Sequence, residues 1–199
     1  SAVEVSNLHR NVIFRSAAVP ARPTSFFEAP TSAQLYRSVD QNCSAIEDCE
    51  VLIIPHNSNL SNGRMFAPAF EGNEANKESL KLRQRLEPLM EIYQHKGDSE
   101  CMEGFESPLG APDEFCGFEK VHESGFEDCR DGIGGFGMLA QGCVSQTDFV
   151  RGALIEGLKR HQSQGVNPLK LGIIASTDTH NASPGAVSES NFAGHKGTD

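Results

Sequence analysis

Four short apolar runs stand out against a polar background: residues 11–15 (NVIFR), 51–55 (VLIIP), 89–93 (LMEIY) and 171–175 (LGIIA). Their apolarity is continuous rather than alternating, which predicts strands covered on both faces, as in a parallel sheet. Helical patterns separate them. Residues 31–43 follow Pro30 and open with Thr31 and Gln34, a T-x-x-Q capping pair. Residues 74–86 are rich in Glu, Lys, Leu, Arg and Gln, all good helix formers. Residues 145–162 open on Ser145 and Asp148 and carry Phe149, Val150, Ala153, Leu154, Gly157 and Leu158 along one helical stripe. Gly165 is the stop. The order strand, helix, strand, helix, strand, helix, strand predicts an α/β fold with mainly parallel strands, as in part of a β/α barrel.

Residues 96–144 break this rhythm. They are rich in Gly, Phe and acidic positions, with only a helical hint near residues 112–118. A stretch of that length without periodicity reads as an irregular excursion over the mouth of the sheet, within a single domain spanning residues 1–199. No internal repeat is present.

Composition narrows the partners. Acidic side chains outnumber basic ones 27 to 17, a net charge of −10, so nucleic acid, which needs a cationic face, is a poor partner. No run approaches the roughly 18 apolar residues of a spanning helix. The opening SAVEVSNLHR lacks the charged-then-apolar pattern of a leader. Six cysteines, with no C-x-x-C among them, argue against a zinc ribbon. Cys43 and Cys49 bracket one short turn, and Cys101 and Cys116 bracket a loop with Gly and Pro. That bracketing suits disulfides, and so a periplasmic or secreted setting over a cytoplasmic one. Six reduced thiols in a cytosolic protein are the competing reading.

In parallel β/α architectures the working residues sit at the carboxyl ends of strands. VLIIP runs straight into His56. LMEIY contains Glu91 and leads to His95 and Lys96. LGIIA leads to Asp178 and His180. If the chain stays extended past Ala175, Asp178 and His180 leave the same face and form an N/O pair suited to zinc, manganese or iron. His56 offers a third ligand. Glu91 is costly to bury unpaired, and a metal would offset that. Lys96 and Arg64 are candidates to meet an anionic substrate. Each residue alone has an ordinary reading as a hydrogen-bonded loop or ion-pair group. Their coincidence at three strand ends favours a site. Gly132-x-Gly134-x-x-Gly137 fits the dinucleotide pattern but follows no apolar strand. The N-x-S triplets at Asn42, Asn59 and Asn181 read as chance, and there is no G-x-S-x-G elbow.

The runs IPHNSNLSNGRMF, EIYQHKGDSEC with DEFCGFE downstream, and STDTHNASPG followed by FAGHKG resemble a large branch of the PHP (polymerase and histidinol phosphatase) superfamily, one known only as a domain of unknown function. The likeness covers nearly the whole chain. It implies a distorted seven-stranded β/α barrel with two or three zinc, iron or manganese ions at its mouth and hydrolysis of phosphate esters. By this likeness His56 matches the histidine ending a middle strand, Asp178 and His180 match the closing D-x-H pair, and Glu91 falls at an acidic or polar position. PHP domains open with H-x-H, which this chain lacks; its first histidine, His9, has no partner two residues away. The expectation is the C-terminal part of such a barrel, completed by a missing N-terminal segment or by another copy.

Two functions are in contention. One is a metal-dependent phosphoesterase in which His56, Asp178 and His180 hold a divalent transition metal, Glu91 is a ligand or the base for water, and Arg64 and Lys96 bind a small anionic substrate. The other is a non-catalytic binding module that keeps the motifs without a working centre. A weaker third idea is a structural zinc on Cys101, Cys116 and His122.

Overall fold

A computed structural model describes residues 6–66, 76–105, 116–122, 125–179, 182 and 185. Strand β1 (Arg10–Phe14) pairs antiparallel with β2 (Val51–Pro55), with Arg10 opposite Pro55 and Phe14 opposite Val51. Helix α1 (Ser32–Ser44) lies between them in sequence, and helix α2 (Lys77–Leu86) follows β2. A second sheet has the order β4–β3–β5, built from β3 (Leu89–Gln94), β4 (Gly97–Asp98) and β5 (Gly172–Ala175). Helix α3 (Val150–Gln164) leads into β5.

The helix ends follow their local chemistry. Thr31 and Gln34 form a reciprocal capping box on α1. Asn76 accepts from Glu78 N and Ser79 N at the start of α2. Ser145 and Asp148 form a second box, around a 3₁₀ turn (Gln146–Asp148) that precedes α3. Gly165, at φ 74°, closes α3 in the left-handed conformation that glycine tolerates best.

The expected mainly parallel, partial barrel is not what forms. Among the described residues β3–β5 is the one parallel pairing, β1–β2 and β3–β4 are antiparallel, and no barrel closes. The continuous apolarity of VLIIP has another cause. Ile53 packs against Tyr36, Val39 and Leu86 of the two helices, while Ile54, on the opposite face of the ribbon, is also buried. A strand between layers is buried on both faces whatever the direction of its neighbours. β5 departs further from expectation: Ile173 is 45% exposed.

A second cluster joins Met65, Phe66, Met90, Val150, Ala153, Leu169 and Leu171, seating α3 against β3. The expected stripe of α3 holds at Phe149, Val150, Ala153 and Gly157, which are buried, but not at Leu154 and Leu158, which are exposed, while Gly152 and Arg160 are buried beside it. A Cβ on Gly157 would come within 2.3 Å of Asn167 Oδ1, so close approach is bought with glycine rather than leucine.

The described parts of the excursion at 96–144 are cross-linked by Cys101–Cys116 and Cys129–Cys143, and Cys43–Cys49 closes the turn after α1. The helical hint at 112–118 lies largely outside the described residues. The disulfide also overturns the structural-zinc idea: Cys101 and Cys116 are bonded to each other, and His122 Nε2 lies 2.8 Å from the carbonyl of Asn59.

One buried ionic group ties the two sheets together. Glu87, between α2 and β3, accepts from Arg83 Nη2 at 2.8 Å, from Arg10 Nε at 3.1 Å and from the Tyr36 hydroxyl. Burial pushes the Glu87 carboxyl up, but Arg83, Arg10 and the Tyr36 hydrogen bond outweigh it and hold it below the ordinary 4.5. Its stabilising share is therefore complete above pH 4.5 and is lost as pH falls through the depressed folded value. Glu87→Gln strands two buried guanidinium groups. Urea unfolding near neutral pH should show a loss of about 3–5 kcal/mol, and the variant should lack this acid-side decline. Equal stability of the two proteins would contradict the role assigned to the carboxylate.

Candidate functional site

The strand ends do converge. At the end of β2 the chain turns at Asn57, whose φ of 57° is left-handed, a conformation asparagine tolerates. His56 lies just before this turn, with Nδ1 3.4 Å from Glu91 Oε2. That contact does not have hydrogen-bond geometry, and Glu91 Oε2 is buried without a donor among the described residues. The other oxygen, Oε1, accepts from the Ser176 hydroxyl just past β5. The β3–β5 register shifts between Glu91 and Tyr93, a bulge that re-aims the residues following Glu91.

β3 ends in a tight hairpin whose tip is His95–Lys96, with Gln94 paired to Gly97. Gly97 has φ 93°, and a Cβ there would approach Val121 Cγ2 to 2.6 Å, so glycine is required. The tip folds onto Asp178. The Lys96 ammonium lies 2.7 Å from His95 Nε2 and 3.2 Å from Asp178 Oδ2, and His95 Nε2 is 3.1 Å from the same oxygen. Because Nε2 accepts from Lys96, the carboxylate is its neighbour rather than its acceptor. Burial pushes the Asp178 carboxyl up, but the charge and hydrogen bond of the Lys96 ammonium outweigh it and hold it below the usual range.

The expected residues within the described part fall into two adjoining groups. His56 and Glu91 form one pair, and His95, Lys96 and Asp178 form an adjoining group. His180 lies outside the described residues. The extended-chain argument for Asp178 and His180 does not hold, because Asp178 has φ 50° and the strand has ended. Arg64 serves the scaffold: its Nε donates to Gly134 O at 2.7 Å. His9 is the residue the sequence reading set aside. Its carbonyl accepts from His56 N at 3.2 Å, and the two rings lie 5.6 Å apart. Antiparallel pairing of NVIFR with VLIIP was the signal that would have found it.

The polar run after His56 is mostly internal framework. Asn59 donates to Lys96 O at 3.0 Å, which braces the hairpin tip. Asn62 donates to Gln141 O and Cys143 O. Asp148, fully buried, accepts from the Ser61 hydroxyl at 2.6 Å, Gly63 N at 2.7 Å and Ser145 N at 2.8 Å. It thus fastens the loop carrying His56 to the start of α3.

Two imidazoles, two carboxylates and a lysine at the ends of β2, β3 and β5 define a mixed α/β protein with a candidate metal- or anion-binding site. The chain belongs to the family described as Protein of unknown function (DUF3604), whose model matches residues 1–199. No curated protein matches the chain, and no solved structure does. The donor chemistry suits a divalent transition metal, and the orphaned Glu91 Oε2 asks for a cationic partner. The described residues supply pairs of donors; among them no group of three or more His, Cys, Asp or Glu is arranged to hold a metal ion.

Asp148 offers a test of the framework. Burial pushes its carboxyl up to about 7, against hydrogen bonds from Ser61, Ser145 and Gly63. A raised folded value means that its stabilising share is complete below 3.8 and is lost as pH rises through about 7. Asp148→Ala orphans three buried donors and should cost about 3 kcal/mol or more. The stability gap between wild type and variant should narrow as pH rises across that window, read by urea unfolding. A gap that widens with pH would contradict the assignment.

Proposed function

We propose that the protein is a metal-dependent hydrolase acting on small phosphoesters. The observation that carries this reading is the meeting of His56, Glu91, His95, Lys96 and Asp178 at three strand ends. The likeness of the same motifs to the PHP superfamily supports it. In this reading His56 and Asp178, with His180 by its place in the D-x-H motif, hold a zinc, manganese or iron ion. His95 borders them. When bound, the metal lowers the pKa of a water and neutralises charge on the attacked group.

The protein's own groups have separate tasks. Glu91 is anchored through one oxygen by Ser176, so its other oxygen is left to orient the attacking water and take its proton. Lys96 meets the anionic oxygens of the substrate with a charge-assisted contact. The net negative charge does not oppose this, since the local field governs capture. Three disulfides suit an oxidising compartment, the periplasm or the cell exterior. No helix of the described residues is long and apolar enough to cross a membrane.

A second reading, a binding module without catalysis, is favoured by one contact. The Lys96 ammonium already satisfies His95 Nε2 and Asp178 Oδ2. Hydrolysis of p-nitrophenyl phosphate with added manganese or zinc separates the two. The hydrolase reading expects turnover that falls about 10²–10⁴-fold in Glu91→Gln and is lost in His56→Ala. Absence of turnover in the wild type, or equal turnover in all three proteins, would remove it in favour of the binding module.

A further inference from the structure

The β1–β2 ribbon has two faces, and the candidate site uses one of them. His9 stands opposite His56, so the face of residues 9, 11 and 13 carries the site. Leu8, Arg10, Val12 and Phe14 alternate onto the other face. There the proline-rich segment 16–31 arches over β1 and leaves a cavity of about 320 Å³. Val12, Phe14, Val19, Pro20 and Pro23 give it apolar walls. A smaller hollow of about 200 Å³ continues it, sharing Val12 and Thr24 and reaching Arg10.

This combination has the features of a small-molecule site: a preformed apolar hollow with a few polar groups at its edge. Prolines 20 and 23 stiffen the wall, so little ordering is needed on binding. The polar groups are Thr24, Asn42 and Arg22. Arg22 is the informative one. Arg10, Arg15, Arg83, Arg85, Arg151 and Arg160 each pair with a carboxylate. Arg22 has no acid partner among the described residues, in a chain of net charge −10.

We propose that this cavity is a second binding site, separate from the strand-end site, for a small apolar molecule carrying one carboxylate. The apolar body lies between Val12, Val19 and Val39, and the guanidinium of Arg22 meets the carboxylate with its planar fork. The volume suits a one- or two-ring ligand; a cavity of about 150 Å³ holds benzene. The adjoining hollow ends at Arg10, which also holds Glu87.

The probe is 1-naphthoate, titrated calorimetrically into the intact protein, with uncharged 1-naphthalenemethanol as its comparison. Saturable binding at one equivalent is expected. Arg22→Gln should weaken naphthoate at least tenfold and leave the alcohol unchanged, and Val12→Trp, which fills the cavity, should abolish both. His56→Ala should bind naphthoate as the wild type does. No saturable binding to the folded wild type would overturn the proposal. So would equal affinity in Arg22→Gln, or loss of binding in His56→Ala.

Discussion

The placement of β3 against the β1–β2 ribbon rests on Glu87. No ladder of backbone hydrogen bonds joins the two sheets among the described residues. Instead a single buried carboxylate gathers Arg10 from β1, Tyr36 from α1 and Arg83 from α2 at the root of β3. Leu86, one residue earlier, belongs to the apolar cluster with Tyr36, Val39 and Ile53. Apolar packing of this kind supplies most of the attraction but little direction. The ionic group supplies direction. Its net contribution to stability is small, because desolvation offsets Coulomb attraction, yet breaking it leaves charges stranded. It fixes where Glu91 meets His56, four residues further along the chain.

Polar framework and candidate chemistry are interleaved around that contact. Asn57, Ser58, Asn59, Ser61 and Asn62 are all buried, a costly arrangement unless each is bonded. Most of their bonds run to neighbouring loops: Ser58 to Asp148 O, Asn59 to Lys96 O, and Asn62 to Cys143 O in the loop closed by Cys129–Cys143. The motif that follows His56 thus holds the site's walls in register. Asn57 Oδ1, Asn59 Oδ1 and the adjacent Glu91 Oε2 are buried without a donor among the described residues.

Much of the local structure was legible in the sequence. VLIIP is β2 residue for residue, and the Thr31–Gln34 box marks a real helix start, because capping is decided within a few residues; the Ser145–Asp148 box instead caps a 3₁₀ turn, and α3 begins only at Val150. Strand direction was not legible, since continuous apolarity reports burial on both faces and says nothing of the partner's orientation. The bond from Arg64 Nε to Gly134 O was not legible for a related reason: its acceptor is far off in sequence. Cys129–Cys143 could not be paired from spacing alone. That His56, Glu91, Lys96 and Asp178 lie near one another was legible from their positions in and after strand ends. His9 was missed because it lies at the start of β1, where a parallel sheet places no active residue.

The central proposal is that His56 and Asp178, with His180 by its place in the D-x-H motif, hold a metal ion beside Glu91. Anomalous diffraction at the zinc and manganese edges, from crystals of protein loaded with each metal, tests it most directly. The account predicts a peak within coordination distance of His56 and Asp178, lost in His56→Ala. A map with no peak at the ends of β2, β3 and β5, or with its only peak elsewhere on the molecule, would contradict it.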